Sequence, residues 1–178
     1  KVGGMLKNWV VVYLGNFVGG TLVAAGIVYS HQVSLFDNAM AVSVISTAAG
    51  KCSLSFSDAF LRGIFCNFLV CIAVWISFAA KDVAGKVIGL FFPIMIFVVC
   101  GFEHSVANMY YIGAGLFAKG VPAYAEAASH AGVNLDALSW GQFLGRNLVP
   151  VTLGNIVGGG IFVGCVYWFL YLKDSGKK

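Results

Sequence analysis

Long apolar stretches separated by shorter polar segments dominate the chain. Crossing a bilayer as a helix takes about 20 mostly apolar residues. Four stretches meet that requirement, and we predict a spanning helix in each: residues 9–29, 63–80, 87–118 and 148–172. The semi-polar segments 31–58 and 119–142 are too broken to span, and we predict exposed loops there with short helices.

Composition places the chain inside a membrane. Hydrophobic residues make up 60% of the 178 residues and charged residues only 10%, whereas soluble domains contain about 45–50% and about 25%. The net charge of +4 is scattered, which argues against a nucleic-acid partner. Five cysteines occur without a paired-ligand spacing, so we expect free thiols, no metal site and no cofactor.

The basic residues predict the orientation. If all four stretches cross, seven lysines fall on one side and four basic residues on the other. The richer side is expected to be cytoplasmic. This predicts a multi-pass protein of the cell (inner or plasma) membrane with a cytoplasmic C-terminus. The seven lysines are Lys1, Lys7, Lys81, Lys86, Lys173, Lys177 and Lys178.

A thirteen-residue motif occurs twice. NWVVVYLGNFVGG starts at Asn8 and NLVPVTLGNIVGG at Asn147, with nine identical positions. Two predicted crossings separate the copies, so they point in opposite directions, as in the inverted repeats of transport proteins. A repeat of three spans per half would require two further spans before Lys1. We therefore expect residues 1–178 to form one transmembrane channel domain that is the C-terminal two-thirds of a longer chain.

Small and polar residues within the repeat suggest two kinds of contact. Gly15-x-x-x-Gly19 and Gly154-x-x-x-Gly158 have the spacing that lets helices approach closely in lipid. Asn16 and Asn155 should either bond across helices or frame a wet pathway, because an unpaired amide in hydrocarbon is costly. Asn67, within FCNFLVC, carries the same two alternatives.

A glutamate and a histidine interrupt the third apolar stretch, where residues 97–110 read FVVCGFEHSVANMY. The stretch is longer than one crossing needs and contains Gly101, so we predict a helix broken between Val99 and Ser105. Backbone breaks at membrane depth are tolerated only where protein or water satisfies them. The half-helix ends at such a break attract anions.

His104 is the candidate functional residue at this break. On a helix it would share a face with Phe97 and Asn108, which suits a narrow pore with one polar station between apolar constrictions. Burial disfavours the imidazolium whereas an arriving anion favours it, so His104 could donate a proton to a weak-acid anion. Glu103 would point into the protein and bind loose N–H groups of the break or another side chain. A buried structural histidine is the alternative.

Three segments of the sequence resemble the formate/nitrite transporter family: CNFLVCIAVWISFAAKDVAGK, FVVCGFEHSVANM and NLVPVTLGNIVGGGIFVGCVYW. The GFEHSVANM run is highly specific to that family, and the resemblance covers essentially all 178 residues. It implies an all-α, aquaporin-like inverted-repeat bundle of six spans, of which four are present here. It also implies a homopentamer with one pore per subunit for formate, nitrite or hydrosulfide.

The resemblance also assigns roles to individual residues. The family's central pore histidine falls on His104, and two pore asparagines fall on Asn67 and Asn108. The aromatic residue of one apolar constriction matches Phe97, and Val70 matches an apolar position near the other. The asparagine of the last span matches Asn155. The family's second span carries a loop whose threonine faces the histidine, and no part of this sequence matches that span.

Three functional interpretations follow. The first is a channel or proton-coupled transporter for small monovalent anions, formate before nitrite and hydrosulfide. The second is an aquaporin-like channel for neutral solutes, although the paired Asn-Pro-Ala motifs of aquaporins do not occur. The third, a membrane enzyme using Glu103 and His104, is disfavoured because no second His/Asp/Glu cluster lies in the spans. His31 and His130 fall in the loops and receive no role.

Overall fold

The computed structural model describes residues 2–173, and these residues are helical without any β-strand. Single turns of 3₁₀-helix occur at Gln32–Ser34 and Leu135–Ala137. The main helices are α1 (Val2–Tyr29), α2 (Ala39–Cys52), α3 (Phe56–Ala79), α4 (Val83–Val99), α5 (Ser105–Lys119), α6 (Pro122–His130) and a last helix, Gln142–Leu172. Within the last helix, Val149–Ile156 is regular α-helix between wider π-helical turns.

Three of the helices are long and apolar enough to cross a membrane: α1, α3 and the last helix. They contain the first and fourth predicted stretches and all of the second except Ala80, and each helix begins before the predicted start. The third stretch forms two shorter helices, α4 with 17 residues and α5 with 15, each shorter than a crossing needs. Lys1, Lys177 and Lys178, which enter the orientation argument, lie outside the described residues.

The two predicted loops are more ordered than the sequence suggested. Residues 31–58 contain α2, which has 14 residues and buries one face, including Ile45 and Ala48. Residues 119–142 contain α6 and the turn Leu135–Ala137, and they bury Tyr124 and Leu138. The short helices were predicted correctly, but the segments are not simply exposed loops. Their apolar positions are spaced by three and four residues, which favours packing of one helix face.

The described chain divides into two compact units. The first consists of residues up to 54 together with 106–148, and its core is apolar. Small residues allow close helix contacts there: a Cβ on Gly115 would lie 2.2 Å from that of Ala48. The core is closed by large side chains that are fully buried: Ile45, Met109, Ile112, Leu138 and Phe143.

The second unit consists of residues 55–105 and 149 onward. Its helices α3 and α4 begin with side-chain caps, in which Ser55 accepts a hydrogen bond from the Asp58 N–H and Asp82 from the Gly85 N–H. Helix α3 packs against both α4 and the last helix. Trp75 and Tyr167 are in ring contact at 4.2 Å. The site described next lies in this unit.

Close backbone approach defines the contact between α3 and the last helix. A Cβ on Gly154 would lie 2.2 Å from the Phe60 carbonyl oxygen, and one on Gly158 would lie 2.2 Å from that of Ile64. The predicted close approach of Gly154 and Gly158 is therefore confirmed. For Gly15 and Gly19 it stays a prediction, because an added Cβ there would meet nothing within 4 Å among the described residues.

Candidate functional site

Helix α4 stops at a C-terminal motif that reverses the chain. Gly101 has a φ of +65°, in the left-handed region that favours glycine. The Phe102 N–H donates to the Phe97 carbonyl at 3.0 Å, and the Gly101 N–H donates to Val98 at 3.1 Å. These are the two bonds of a Schellman motif. The predicted break between Val99 and Ser105 is therefore present, with the chain irregular until α5 begins at Ser105.

The Asn155 carboxamide holds this break in place. Asn155 is 6% exposed, and its Nδ2 donates to the carbonyl oxygens of Gly63 and Glu103, both at 2.9 Å. Its Oδ1 accepts from the Ser105 N–H at 2.9 Å. One side chain thus satisfies main-chain groups on both sides of His104 and links them to α3. This is the compensation that irregular backbone inside a membrane requires.

Asn67 is tied to the same group of residues. Its Nδ2 donates to the main-chain oxygen of Asn155 at 2.7 Å, and the Asn67 side chain is half-buried. Asn155 therefore links Asn67, through its main-chain oxygen, to Glu103 and Ser105, which its side chain binds. The sequence left open whether Asn67 and Asn155 pair across helices or frame a pathway. The structure shows the pairing, and half-burial leaves part of Asn67 open to another contact.

Aromatic contacts hold the histidine of the break and the residues before it. The rings of His104 and Phe97 lie 6.1 Å apart between centroids, inclined by 31°. Phe102 stacks on Phe65 of α3 at 5.5 Å, which anchors the irregular segment. His104 is half-buried and immediately precedes α5. The N-terminus of a helix carries partial positive charge, which favours an anion beside it.

Glu103 lies inside the protein, as predicted, with 2% of its surface exposed. Its N–H donates to the Arg62 carbonyl at 3.4 Å, and its carbonyl accepts from Asn155. That Glu103 binds loose N–H groups of the break, or another side chain, stays a prediction; the Ser105 N–H is bound by Asn155. A short amide side chain from the neighbouring helix reaches this group and can donate as well as accept.

The remaining predicted residues are not brought into this cluster by any described contact. Val70 is half-buried on α3, one turn beyond Asn67. Asn16, in the first unit, is half-buried on α1, and no hydrogen bond of its side chain is found among the described residues. Asn108 belongs to the first unit and is 1% exposed.

Asn108 has a partner that sequence reasoning missed. Its Nδ2 donates to Asn147 Oδ1 at 2.8 Å, and Asn147 Nδ2 donates to the Lys51 carbonyl at 3.0 Å. Asn147 is fully buried. The signal was available, since Asn147 is the first residue of the repeated motif and an asparagine within an apolar context.

Other polar groups form no second site in the described part of the chain. No group of three His, Cys, Asp or Glu side chains lies close enough to hold a metal ion there. His31 is exposed, with its Nδ1 3.2 Å from the Tyr124 hydroxyl. His130 lies 3.7 Å from Glu126, and both are largely exposed. These contacts lie in the segments where we expected no functional role.

A helical protein with long apolar helices and an ionisable residue at a helix break belongs to the class of membrane transport proteins rather than simple anchors. Comparison with known families gives the particular group. The model of the formate/nitrite transporter family matches residues 1–169. The chain belongs to the formate/nitrite transporter family.

Curated relatives agree with this assignment. The chain is 42% identical to a probable formate transporter of Methanothermobacter thermautotrophicus, over 98% of this chain and 62% of that protein. It is 37% identical to the formate channel FocA of Escherichia coli K12, over 97% of this chain and 61% of FocA. The chain thus spans about three-fifths of the length of these relatives. Both are transport proteins rather than enzymes by name.

Solved structures share the fold. A pentameric formate channel with formate bound superposes with a TM-score of 0.85 at 36% identity, covering 96% of this chain and 68% of that one. An ion channel of the same family superposes with a TM-score of 0.76 at 30% identity, covering 94% of this chain and 60% of the other. The arrangement of helices described above is therefore that of the family's channels.

Proposed function

We propose that this protein passes small monovalent anions across a cell membrane, with formate as the first candidate. The observation that carries the proposal is the break at His104, where a half-buried imidazole contacts Phe97 and sits at the start of α5. Formate channels among the relatives and the formate-bound structural neighbour support the choice of substrate.

In the proposed mechanism His104 is the proton donor of the pathway. An imidazolium N–H transfers its proton to an oxygen of formate, which leaves neutral imidazole and neutral formic acid. The neutral acid crosses the apolar constrictions at Phe97 and Val70 far more easily than the anion, because moving a charge out of water is costly. If formic acid returns the proton to His104 and leaves as formate, the protein acts as a channel. If the acid leaves with the proton and His104 takes a new proton from water on the entry side, transport is proton-coupled.

The asparagines serve as the other polar groups of the proposed site. Asn67 and Asn108 are assigned to the pathway by resemblance, and their amide groups can donate to an anion or its conjugate acid. Asn155 and Glu103 support the pathway by fixing the backbone on both sides of His104. Asn16 occupies the matching position in the first copy of the repeat, and we assign it a supporting role.

The wider architecture is also part of the proposal. We infer an aquaporin-like inverted repeat with six spans, four of which are represented in residues 1–178, the third of these being the broken pair α4 and α5. The assembly would be a homopentamer in the inner or plasma membrane, surrounded by the lipid bilayer, with the C-terminus in the cytoplasm. The pentameric structural neighbour supports the assembly, and the lysine distribution supports the orientation.

Nitrite and hydrosulfide are the alternative substrates, because both are small conjugate bases of weak acids and would accept a proton from His104. An aquaporin-like channel for neutral solutes is the weaker alternative. The titratable group at the break favours an anion over water or glycerol, and the named relatives are formate transporters and channels.

The test is uptake by the full-length protein in proteoliposomes. Formate, nitrite, hydrosulfide and glycerol are supplied separately, with protein-free liposomes as the control for passive permeation of the neutral acids. We expect protein-dependent uptake of the anions, fastest for formate, and none of glycerol. Glycerol uptake without anion uptake would replace the proposal with the neutral-solute channel.

A further inference from the structure

Three consecutive glycines of the last helix have three different surroundings. An added Cβ on Gly158 would lie 2.2 Å from the Ile64 carbonyl oxygen, which is main chain. On Gly159 it would lie 2.5 Å from Asn67 Nδ2 and 2.9 Å from Cys71 Sγ, which are side-chain atoms. On Gly160 it would meet nothing within 4 Å. Of the three, only Gly159 has its Cβ space occupied by side chains of α3.

Those side chains lie on one face of α3. Asn67 and Cys71 are four residues apart, so they lie one turn apart on the same helix face. Both are half-buried. The Asn67 amide points its Nδ2 at the Asn155 main-chain oxygen, at 2.7 Å. Any side chain at position 159 would have to displace this amide, because 2.5 Å between the added Cβ and Asn67 Nδ2 is shorter than a van der Waals contact.

We propose that Gly159 is a positioning residue that determines which anions pass, acting through Asn67. It gives the Asn67 amide room to lie against the last helix, and thereby sets how far that amide extends into the pathway. This inference rests on the proposed function, in which Asn67 lines the pathway. A methyl group at position 159 pushes the Asn67 amide toward the pathway and narrows it, without altering the main-chain contact made at Gly158.

The three glycines supply matched variants for the test. Gly158→Ala, Gly159→Ala and Gly160→Ala are made in the full-length protein, and each is measured for thermal unfolding and for uptake of formate and hydrosulfide. Gly160→Ala should match wild type. Gly158→Ala should lose thermal stability and the uptake of both anions. Gly159→Ala should lower the ratio of formate to hydrosulfide uptake by roughly 10-fold, the scale at which one methyl group discriminates, because formate is the larger anion.

A double mutant separates positioning from a general packing defect. In an Asn67→Ala background the obstructing amide is gone, so adding Gly159→Ala should leave the uptake ratio unchanged. The same double mutant should assemble even if Gly159→Ala alone does not. An equal change of ratio in both backgrounds, an unchanged ratio in Gly159→Ala, or failure of the double mutant to assemble would each overturn the inference.

Failure of the proposed function has a different signature. If wild type takes up neither anion, both proposals fall. If wild type transports but Asn67→Ala changes neither anion's uptake, Asn67 is not part of the pathway, and the inference about Gly159 falls while the anion channel stands. If wild type transports, Asn67→Ala alters uptake and Gly159→Ala behaves like Gly160→Ala, the anion channel stands and only the role of Gly159 is wrong.

Discussion

The two copies of the repeated motif share nine of thirteen residues but make very different contacts. In the second copy, Asn155 is buried, and its side chain binds three main-chain groups. In the first copy, Asn16 is half-buried, and no hydrogen bond of its side chain is found among the described residues. A Cβ added to Gly154 or Gly158 would meet main-chain oxygens, whereas a Cβ added to Gly15 or Gly19 would meet nothing within 4 Å.

This difference shows that the motif alone does not determine which contacts its residues make. LGN-x-VGG presents a small-residue face and an amide at matching positions on a helix. Whether the amide is satisfied depends on a neighbour that offers irregular backbone, which the second unit provides at the α4–α5 break. The comparison thus predicts unequal effects for the same substitution in the two copies.

The two copies should differ most when their asparagines are substituted, both in thermal stability and in formate uptake. Asn155→Ala leaves the Gly63 and Glu103 carbonyls and the Ser105 N–H without this partner, and each unsatisfied buried group costs about 1–3 kcal/mol. We expect a marked loss of thermal stability and of most formate uptake. Asn16→Ala, measured beside it in the full-length protein, should cost less in both assays.

An equal loss in Asn16→Ala would contradict this inequality. It would mean that Asn16 binds partners outside residues 2–173, and that the two copies hold the protein together in the same way. The contrast between the copies would then be a property of the described residues alone.

Substituting the glycines should give a smaller difference in stability between the two copies. A Cβ on Gly154 would lie 2.2 Å from the Phe60 carbonyl oxygen, so Gly154→Ala must separate α3 from the last helix. Overpacking of this kind costs about 1–3 kcal/mol. Gly15→Ala has no such contact and should leave the unfolding temperature in detergent close to wild type. Equal destabilisation by the two substitutions would show that the packing difference between the copies is unimportant.

The smallest effect is expected at the break that Asn155 holds. Gly101 has a φ of +65°, and a left-handed conformation costs a residue with a Cβ about 1–2 kcal/mol. Gly101→Ala should therefore lower the unfolding temperature modestly. Gly160→Ala is the control, because an added Cβ on Gly160 meets nothing within 4 Å and its φ is not positive. An unchanged temperature in Gly101→Ala would mean that the break tolerates other backbone conformations.

The sequence predicted the helical membrane class, the break and the burial of Glu103, because each depends on local pattern: apolar length, Gly101 and an ionisable residue within a span. It did not predict that Asn155 binds the Ser105 N–H, since that contact joins residues 50 apart in sequence. The burial of α2 and the partnership of Asn108 with Asn147 were missed for the same reason. Long-range pairing is not encoded in any one segment.

The central claim is that His104 exchanges a proton with the transported anion. The direct test is formate uptake into proteoliposomes across a pH series, for the full-length wild type and His104→Asn, after subtraction of uptake by protein-free liposomes. We predict that protein-dependent uptake by wild type rises as pH falls through the titration of the imidazole, because more of the donor is protonated, and that His104→Asn is slower and insensitive to pH. An unchanged rate and pH profile in His104→Asn would contradict the claim and make His104 a structural residue.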